Sequence, residues 1–130
     1  MTTFTPSTNM LQTKYYTAIE AERDRRLAIG TDIDVVGYGW IAVRGLDQDR
    51  VTLTELREFL ATHPLVPTIA YRDRDNAMHN LTLAQIEDII YQGGPYALSI
   101  YSASFAIKDA DPRISDVTND ALWPTPTQRP

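Results

Sequence analysis

Two segments of the chain begin with a threonine, carry Glu or Gln three residues later, and continue with apolar residues at helical spacing. Thr52 precedes Glu55, and Thr82 precedes Gln85. In such a capping box, the threonine hydroxyl accepts a hydrogen bond from a free backbone N–H of the first turn. The Glu or Gln side chain three residues later accepts one from the backbone N–H of the threonine. Each segment therefore predicts the start of a helix. The two helices predicted in this way lie near 53–62 and 83–91.

Glycine and proline define two further helices. Residues 15–29 have helical composition, and Gly30 follows them as a natural C-terminal stop. Gly93 and Gly94 predict the end of the helix that starts after Thr82, and Pro95 suits the first position of a new one over 95–109. Apolar spacing on these helices predicts one shared core. The predicted core residues are Leu56, Leu60, Ile86, Ile90, Tyr101 and Phe105.

The remaining apolar segments are extended. Residues 32–44 are consistent either with a hairpin that turns near Gly37–Gly39 or with a bulged strand. Residues 68–79 contain the turn pair Asp75-Asn76. The predicted fold class is therefore α+β, with a small antiparallel sheet packed with three to four short helices. We expect one domain over 14–123, an extended polar N-terminal arm over 1–13 and a C-terminal tail over 124–130.

Charge and composition exclude several classes of function. The chain of 130 residues has no cysteine, so it forms no disulfide, thiolate nucleophile or cysteine zinc site. Its net charge of −5 argues against nucleic-acid binding, which depends on neutralising phosphates, and against docking to anionic lipid. No apolar run is long enough to insert into a membrane.

Residues that could carry chemistry are few. His63 and His79 lie outside any metal-ligand spacing, so we expect no metal and no cofactor. Asp32 and Asp34 share one face of an extended segment, where two carboxylates could serve acid–base chemistry. We interpret them as a solvated strand edge that discourages edge pairing. The sequence predicts a protein that is not an enzyme and has no catalytic residues.

Arginine and aromatic residues instead indicate a binding surface. Ten of the twelve basic residues are arginine, which is enriched at interfaces where lysine is depleted. Trp40 is alternatively a core residue of the sheet. The predicted protein-interface residues are Tyr15, Tyr16, Arg23, Arg25, Arg26, Tyr38 and Trp40.

A family resemblance rests on an ordered set of segments. They are the Arg-rich, glycine-terminated segment Glu22–Gly30, the polar turn of Tyr71–Asn80, the capped start Leu81–Ile86, the run Ala106–Ala110 after Tyr101, and Trp123. Over roughly residues 18–123 the chain resembles an uncharacterised domain family found in the tail and tail-fibre gene modules of tailed bacteriophages and prophages. That family has no established catalytic residues, so the resemblance implies no active site.

The resemblance implies a structural component of the virion, at the tail tip, baseplate or tail fibre. It would be made in the host cytoplasm and act through protein–protein assembly. Its expected partners are itself, as a homo-oligomer, and other phage tail proteins, with no nucleic acid and no membrane insertion. One alternative is a tail-fibre assembly chaperone that is absent from the mature particle, and another is a small enzyme.

Overall fold

Helices and two short hairpins alternate along the chain. The structure is a computed structural model that describes residues 8–130. Its elements are α1 (Thr8–Ile29), β1 (Thr31–Val35), β2 (Gly39–Val43), α2 (Asp47–Thr62), β3 (Ile69–Arg72), β4 (Met78–Leu81), α3 (Leu83–Lys108) and a 3₁₀ turn (Asp120–Leu122). The predicted α+β class is confirmed.

The strands form two separate two-stranded sheets. β1 pairs antiparallel with β2, and β3 pairs antiparallel with β4. The hairpin interpretation of residues 32–44 is correct, because Gly37 (φ +74°) and Gly39 (φ +125°) supply the backbone angles of a tight turn. The single sheet expected from the sequence is wrong. Instead of a shared ladder, the hairpins are joined where the Arg74 N–H donates to the Ala42 carbonyl at 3.0 Å.

The two predicted helix starts have different outcomes. The capping box at Thr82 is confirmed, with its hydroxyl accepting from the Gln85 N–H at 3.3 Å and its own N–H donating to the Gln85 side chain at 2.9 Å. The predicted start at Thr52 is wrong, because α2 already begins at Asp47. Two acidic residues in this first turn, Asp47 and Asp49, stabilise the N-terminal end of the helix dipole.

The third and fourth predicted helices are one helix, α3, which continues through Pro95. Proline removes one helical hydrogen bond, here to the carbonyl of Tyr91, an exposed residue where water can replace it. Gly93 serves close packing and does not end the helix, since a Cβ there would lie 3.2 Å from Ile33 Cδ1. Packing along the whole helix therefore overrides the local stop signals.

Two apolar clusters form the core, and α3 belongs to both. The first half of α3 packs with α2 and both hairpins around Leu60, Ile86 and Ile89. The second half packs with α1 and the C-terminal segment around Ile100 and Trp123. The single predicted core is therefore divided.

The predicted core residues divide between the clusters and the surface. Leu60 and Ile86 are buried, and Leu56, Ile90 and Tyr101 are partly buried. Phe105, expected in the core, is 55% exposed. The wrong side of the second half of α3 was predicted to face the core, because the sequence predicts a new helix at Pro95 and the phase of the first half was not continued. The inner face of that half is formed by Ala97, Ile100, Ser104 and Ile107.

The two predicted arms have different outcomes. Residues 8–13 were expected to be extended, but they form the first turns of α1, because nothing in their composition breaks a helix; residues 1–7 lie outside the described part of the chain. The tail 124–130 has no regular secondary structure and lies along β1. The carbonyl of Thr127 accepts from the Asp32 N–H at 2.9 Å, and its N–H donates to the Thr31 hydroxyl at 2.9 Å.

Candidate assembly surface

The two tyrosines proposed on α1 make contacts inside the chain. The Tyr15 hydroxyl donates to the Ile107 carbonyl at 2.8 Å and accepts from the Ile114 N–H at 3.2 Å. Tyr16 accepts from the side-chain amide of Gln12, and the ammonium of Lys108 lies 5.3 Å from its ring centre. Both tyrosines are half-buried. They join α1 to the end of α3 and the segment that follows it.

The three proposed arginines are also bound internally. Arg26 is 8% exposed and contacts Glu22 at 2.8 Å and Asp120 at 2.7 Å. Its guanidinium also lies over the Trp123 ring, 5.3 Å from the centre. Arg26 is therefore a core ion pair and has little surface left for a partner.

Arg23 and Arg25 lie farther out. Arg25 is exposed and binds Glu22 at 2.6 Å, while Arg23 bonds Asp24 and covers the Tyr101 ring at 5.2 Å. The hydrogen bond from Arg25 holds the pKa of Glu22 below its ordinary value; burial opposes this effect and Arg26 reinforces it. The carboxylate is thus fixed in its charged form between two arginines.

Tyr38 and Trp40 lie on the β1–β2 hairpin. Trp40 is half-buried, opposite Asp34 in the ladder. The Tyr38 hydroxyl lies 2.6 Å from Nδ1 of His79, whose Nε2 lies 2.8 Å from a carboxylate oxygen of Asp73. A carboxylate only accepts, so Nε2 carries a proton; in the neutral imidazole, Nδ1 then accepts from the Tyr38 hydroxyl. The structure therefore brings together a Tyr–His–Asp array that spacing along the sequence did not reveal.

Asp73 fixes this array. Burial alone would raise the pKa of Asp73, but hydrogen bonds from His79 and from the N–H groups of Ala77 and Asp75 outweigh it and hold the pKa below 3.8. The order of groups is that of a nucleophile, its base and an orienting carboxylate. Tyr38 is an exposed residue at a hairpin turn. The array also ties that turn to the β3–β4 hairpin, which is a sufficient structural role.

The two aspartates of β1 are not a matched pair. Asp34 is exposed, whereas Asp32 is only 9% exposed, so the expected solvated edge is wrong at Asp32. The tail covers it, and Arg129 and Arg74 approach its carboxylate at 3.3 Å each. Burial acts to raise the pKa of Asp32, but the contacts with Arg129 and Arg74 outweigh this effect. The net pKa lies below the ordinary value, so the carboxylate stays charged.

A row of exposed apolar side chains runs along α3. Tyr91, Leu98 and Phe105 are 80%, 60% and 55% exposed. They are spaced by seven residues, which places them on one side of a helix within about 20° per repeat. Pro95 and Ser102 are exposed between them. We call these five residues the α3 outer face.

The α3 outer face is uncharged and open. No charged residue occurs between Asp88 and Lys108, so this part of α3 is apolar or neutral on all sides. Apolar side chains on a helix normally face the core, but here Tyr91, Leu98 and Phe105 are exposed. A Cβ built on Gly94, four residues before Leu98, would meet nothing within 4 Å. The side-chain position at Gly94, one turn before Leu98, is therefore empty within the chain.

A cavity of about 200 Å³ lies between α2, α3 and β2 and includes Gly94 in its lining. Its other walls are mainly apolar, from Leu53, Ile89 and Ala97, with Arg50 among the lining residues. The Nε of Arg50 is buried without a hydrogen-bond partner. None of Tyr38, His79 or Asp73 lines this cavity, so the possible nucleophile and the concave apolar space do not coincide.

The α3 outer face was missed because Phe105, one of its five residues, was expected in the core. A signal was present in the sequence: two interleaved apolar rows on an uncharged segment, one through Ile100 and Ile107 and one through Leu98 and Phe105. Only one row can face the core. Within the described residues, no cluster of His, Asp or Glu suits a metal ion, and no helix is long and apolar enough to cross a membrane.

Comparison with known proteins identifies one family. Residues 10–121 match the model of a domain of unknown function, DUF4376. No curated protein and no solved structure matches the chain. The expectation of an uncharacterised domain family is confirmed, whereas the association with phage tails stays a prediction.

Proposed function

The chain belongs to the DUF4376 family, and we propose that it is a structural component of a tailed-phage virion that acts through protein–protein assembly. The observation that carries the assembly role is the uncharged, uncovered outer face of α3. The assignment to a phage tail tip, baseplate or tail fibre rests on the sequence resemblance alone.

The energetics of the α3 outer face support assembly. Full burial of one Leu or Phe side chain is worth about 1.5–3 kcal/mol. A partner that covers Tyr91, Leu98 and Phe105 would gain several kcal/mol before the entropy cost of association. Large exposed apolar patches are typical of interaction sites, and this row of exposed apolar side chains is a candidate for one.

A binding role also agrees better than catalysis with the placement of polar groups. Arg26, Tyr15 and Asp32 are used inside the fold, where they join α1 and the C-terminal segment to the rest of the chain. The Tyr–His–Asp array is the best argument for a small enzyme. Its hydroxyl lies at an exposed turn and does not line the apolar cavity, so the possible nucleophile and that cavity do not form one site.

The test compares two exposed leucines. Leu98→Glu introduces a charge into the α3 outer face, and Leu65→Glu introduces the same charge at a loop leucine that is 96% exposed. Both variants should unfold at nearly the wild-type temperature, because neither side chain is in the core. We expect Leu98→Glu to lose assembly and Leu65→Glu to retain it, measured by sedimentation and by incorporation into particles.

Two results would contradict the proposal. If Leu98→Glu assembles like the wild type, the α3 outer face is not the assembly surface. Mass spectrometry of purified virions tests whether the protein is a structural component of the particle. Presence of the protein supports a structural component. Absence from the virion, with binding to the fibre during assembly, would replace it by an assembly chaperone.

A further inference from the structure

We propose that the partner of the α3 outer face is a second copy of this chain, packed antiparallel, with Leu98 on the two-fold axis. This inference rests on the proposed assembly function and deepens it. Three features favour this partner: the spacing of the exposed side chains, the small residues around Leu98, and the lack of charge on the face.

The exposed row is symmetric about Leu98. Tyr91 precedes it by seven residues and Phe105 follows it by seven. In an antiparallel pair centred on Leu98, the Tyr91 ring of one copy lies at the level of Phe105 of the other. Both ends of the contact then hold one Tyr and one Phe, a favourable aromatic pair. A two-fold interface requires such self-complementarity of a single patch.

Small residues flank Leu98 at the positions that a partner side chain would enter. Gly94 lies four residues before it and Ser102 four residues after it. In knobs-into-holes packing, a side chain of one helix inserts between residues of the facing helix. A Cβ at Gly94 would meet nothing within 4 Å. A Leu98 side chain from a second copy would therefore meet small residues, Gly94 and Ser102, at these positions.

Electrostatics favour a second copy in the antiparallel orientation. Each chain carries a net charge of −5, so two copies repel unless their charged groups stay away from the contact. The five residues of the α3 outer face carry no charge. Charged side chains adjoin it only at the Tyr91 end among the described depressions, where Arg57, Glu87 and Asp88 share one with Tyr91. Antiparallel helices also place opposite ends of their dipoles side by side, whereas parallel helices place like ends together.

The length of the contact predicts its strength. At a rise of 1.5 Å per residue, the row from Tyr91 to Phe105 spans about 21 Å. A single helix pair of this length is smaller than a standard interface of about 800 Å² per partner. The pair should therefore be a reversible dimer, with its population dependent on protein concentration.

Site-specific cross-linking tests the arrangement, because the chain has no native cysteine. The three variants are Tyr91→Cys, Leu98→Cys and Phe105→Cys, with Leu65→Cys as the control. The reagent is a bis-maleimide with a span of roughly 8 Å, close to the distance between packed helix axes. Leu98→Cys should cross-link to itself. Tyr91→Cys and Phe105→Cys should each remain monomeric alone and give the dimer band only when mixed.

Each result supports or overturns the inference. Dimer bands from Tyr91→Cys alone and from Phe105→Cys alone indicate parallel helices and overturn it, while assembly through α3 stands. If no α3 variant cross-links more than Leu65→Cys, a second copy is not the partner. In that case, loss of particle incorporation in Leu98→Glu would still support the proposed function, and normal incorporation would overturn that as well.

Discussion

Two helices of this protein present opposite kinds of surface. α1 carries the arginines and tyrosines that are typical of interfaces, yet these residues bind other parts of the same chain. Tyr15 donates to the Ile107 carbonyl at the end of α3, and Arg26 pairs with Asp120 in the C-terminal segment. The outer face of α3 has one tyrosine and no arginine, but its side chains Tyr91, Leu98 and Phe105 lie exposed. The comparison teaches that residue type alone does not identify an interface. Apolar side chains that stay exposed in the folded chain are a more direct indicator of an interaction site.

The largest expected effect separates the two sides of α3. Ile100 is fully buried, and Leu98, two residues away, is 60% exposed. Ile100→Ala should lower the free energy of unfolding by about 2–5 kcal/mol, because it leaves a cavity in the core. Leu98→Ala should change it by less than about 0.5 kcal/mol in the monomer. Urea unfolding of dilute protein measures both, and equal losses would show that the two faces of α3 are not distinct.

The second effect separates two arginines of α1. Arg26→Ala removes one charge partner of the buried Glu22 and should cost about 1–3 kcal/mol. Arg25→Ala removes an exposed partner of the same carboxylate and should cost less than about 1 kcal/mol. The same unfolding measurement applies. A larger loss in Arg25→Ala would mean that the internal network of α1 is organised differently.

Acid should weaken the folded chain through its buried carboxylates. The folded pKa values of Glu22, Asp32 and Asp73 lie below their ordinary values. Their stabilisation is therefore complete at neutral pH and is lost as the pH falls below about 4, through the folded pKa values. Asp73→Asn should remove roughly 1.5 kcal/mol at pH 7 and reduce this acid loss, because it removes a charged hydrogen-bond acceptor. Unchanged pH dependence in the variant would contradict the role of Asp73.

Salt should have the smallest effect, and it falls on assembly. An uncharged contact through α3 has no ion pairs for salt to weaken, and salt screens the repulsion between two chains of charge −5. The dissociation constant should therefore fall or stay within about two-fold between roughly 0.05 and 0.5 M NaCl. Sedimentation equilibrium at the two salt concentrations gives the value. A ten-fold weakening would instead indicate an ionic interface and return attention to Arg23 and Arg25.

The parts of the fold that follow local rules were predictable. The Thr82 capping box, the Asp75-Asn76 turn and the β1–β2 hairpin depend on neighbouring residues, and the structure contains all three. The continuity of α3 through Pro95 was not predictable from local signals, because the helix packs against distant residues, and Gly93 approaches Ile33 on β1. That one error also rotated the predicted core face of the helix, so that Phe105 was assigned to the interior.

The contacts of the candidate site depend on residues far apart in the chain. Arg26 meets Asp120, and Tyr38 meets His79, across long stretches of sequence. Composition indicated that Arg and Tyr would be used in contacts, but only the fold shows that these contacts are internal. The exposed row of α3 could not be predicted, because the sequence does not show which of the two apolar rows faces the core.

Hydroxyl-radical footprinting of the assembled and the dissociated protein compares α1 and α3 in one measurement. The reagent oxidises exposed aromatic side chains, and mass spectrometry reads the modification at each residue. We expect Tyr91 and Phe105 to become protected on assembly, while Tyr15 and Tyr16 react equally in both states. Protection of Tyr15 and Tyr16, with Tyr91 and Phe105 unchanged, would contradict assembly through α3.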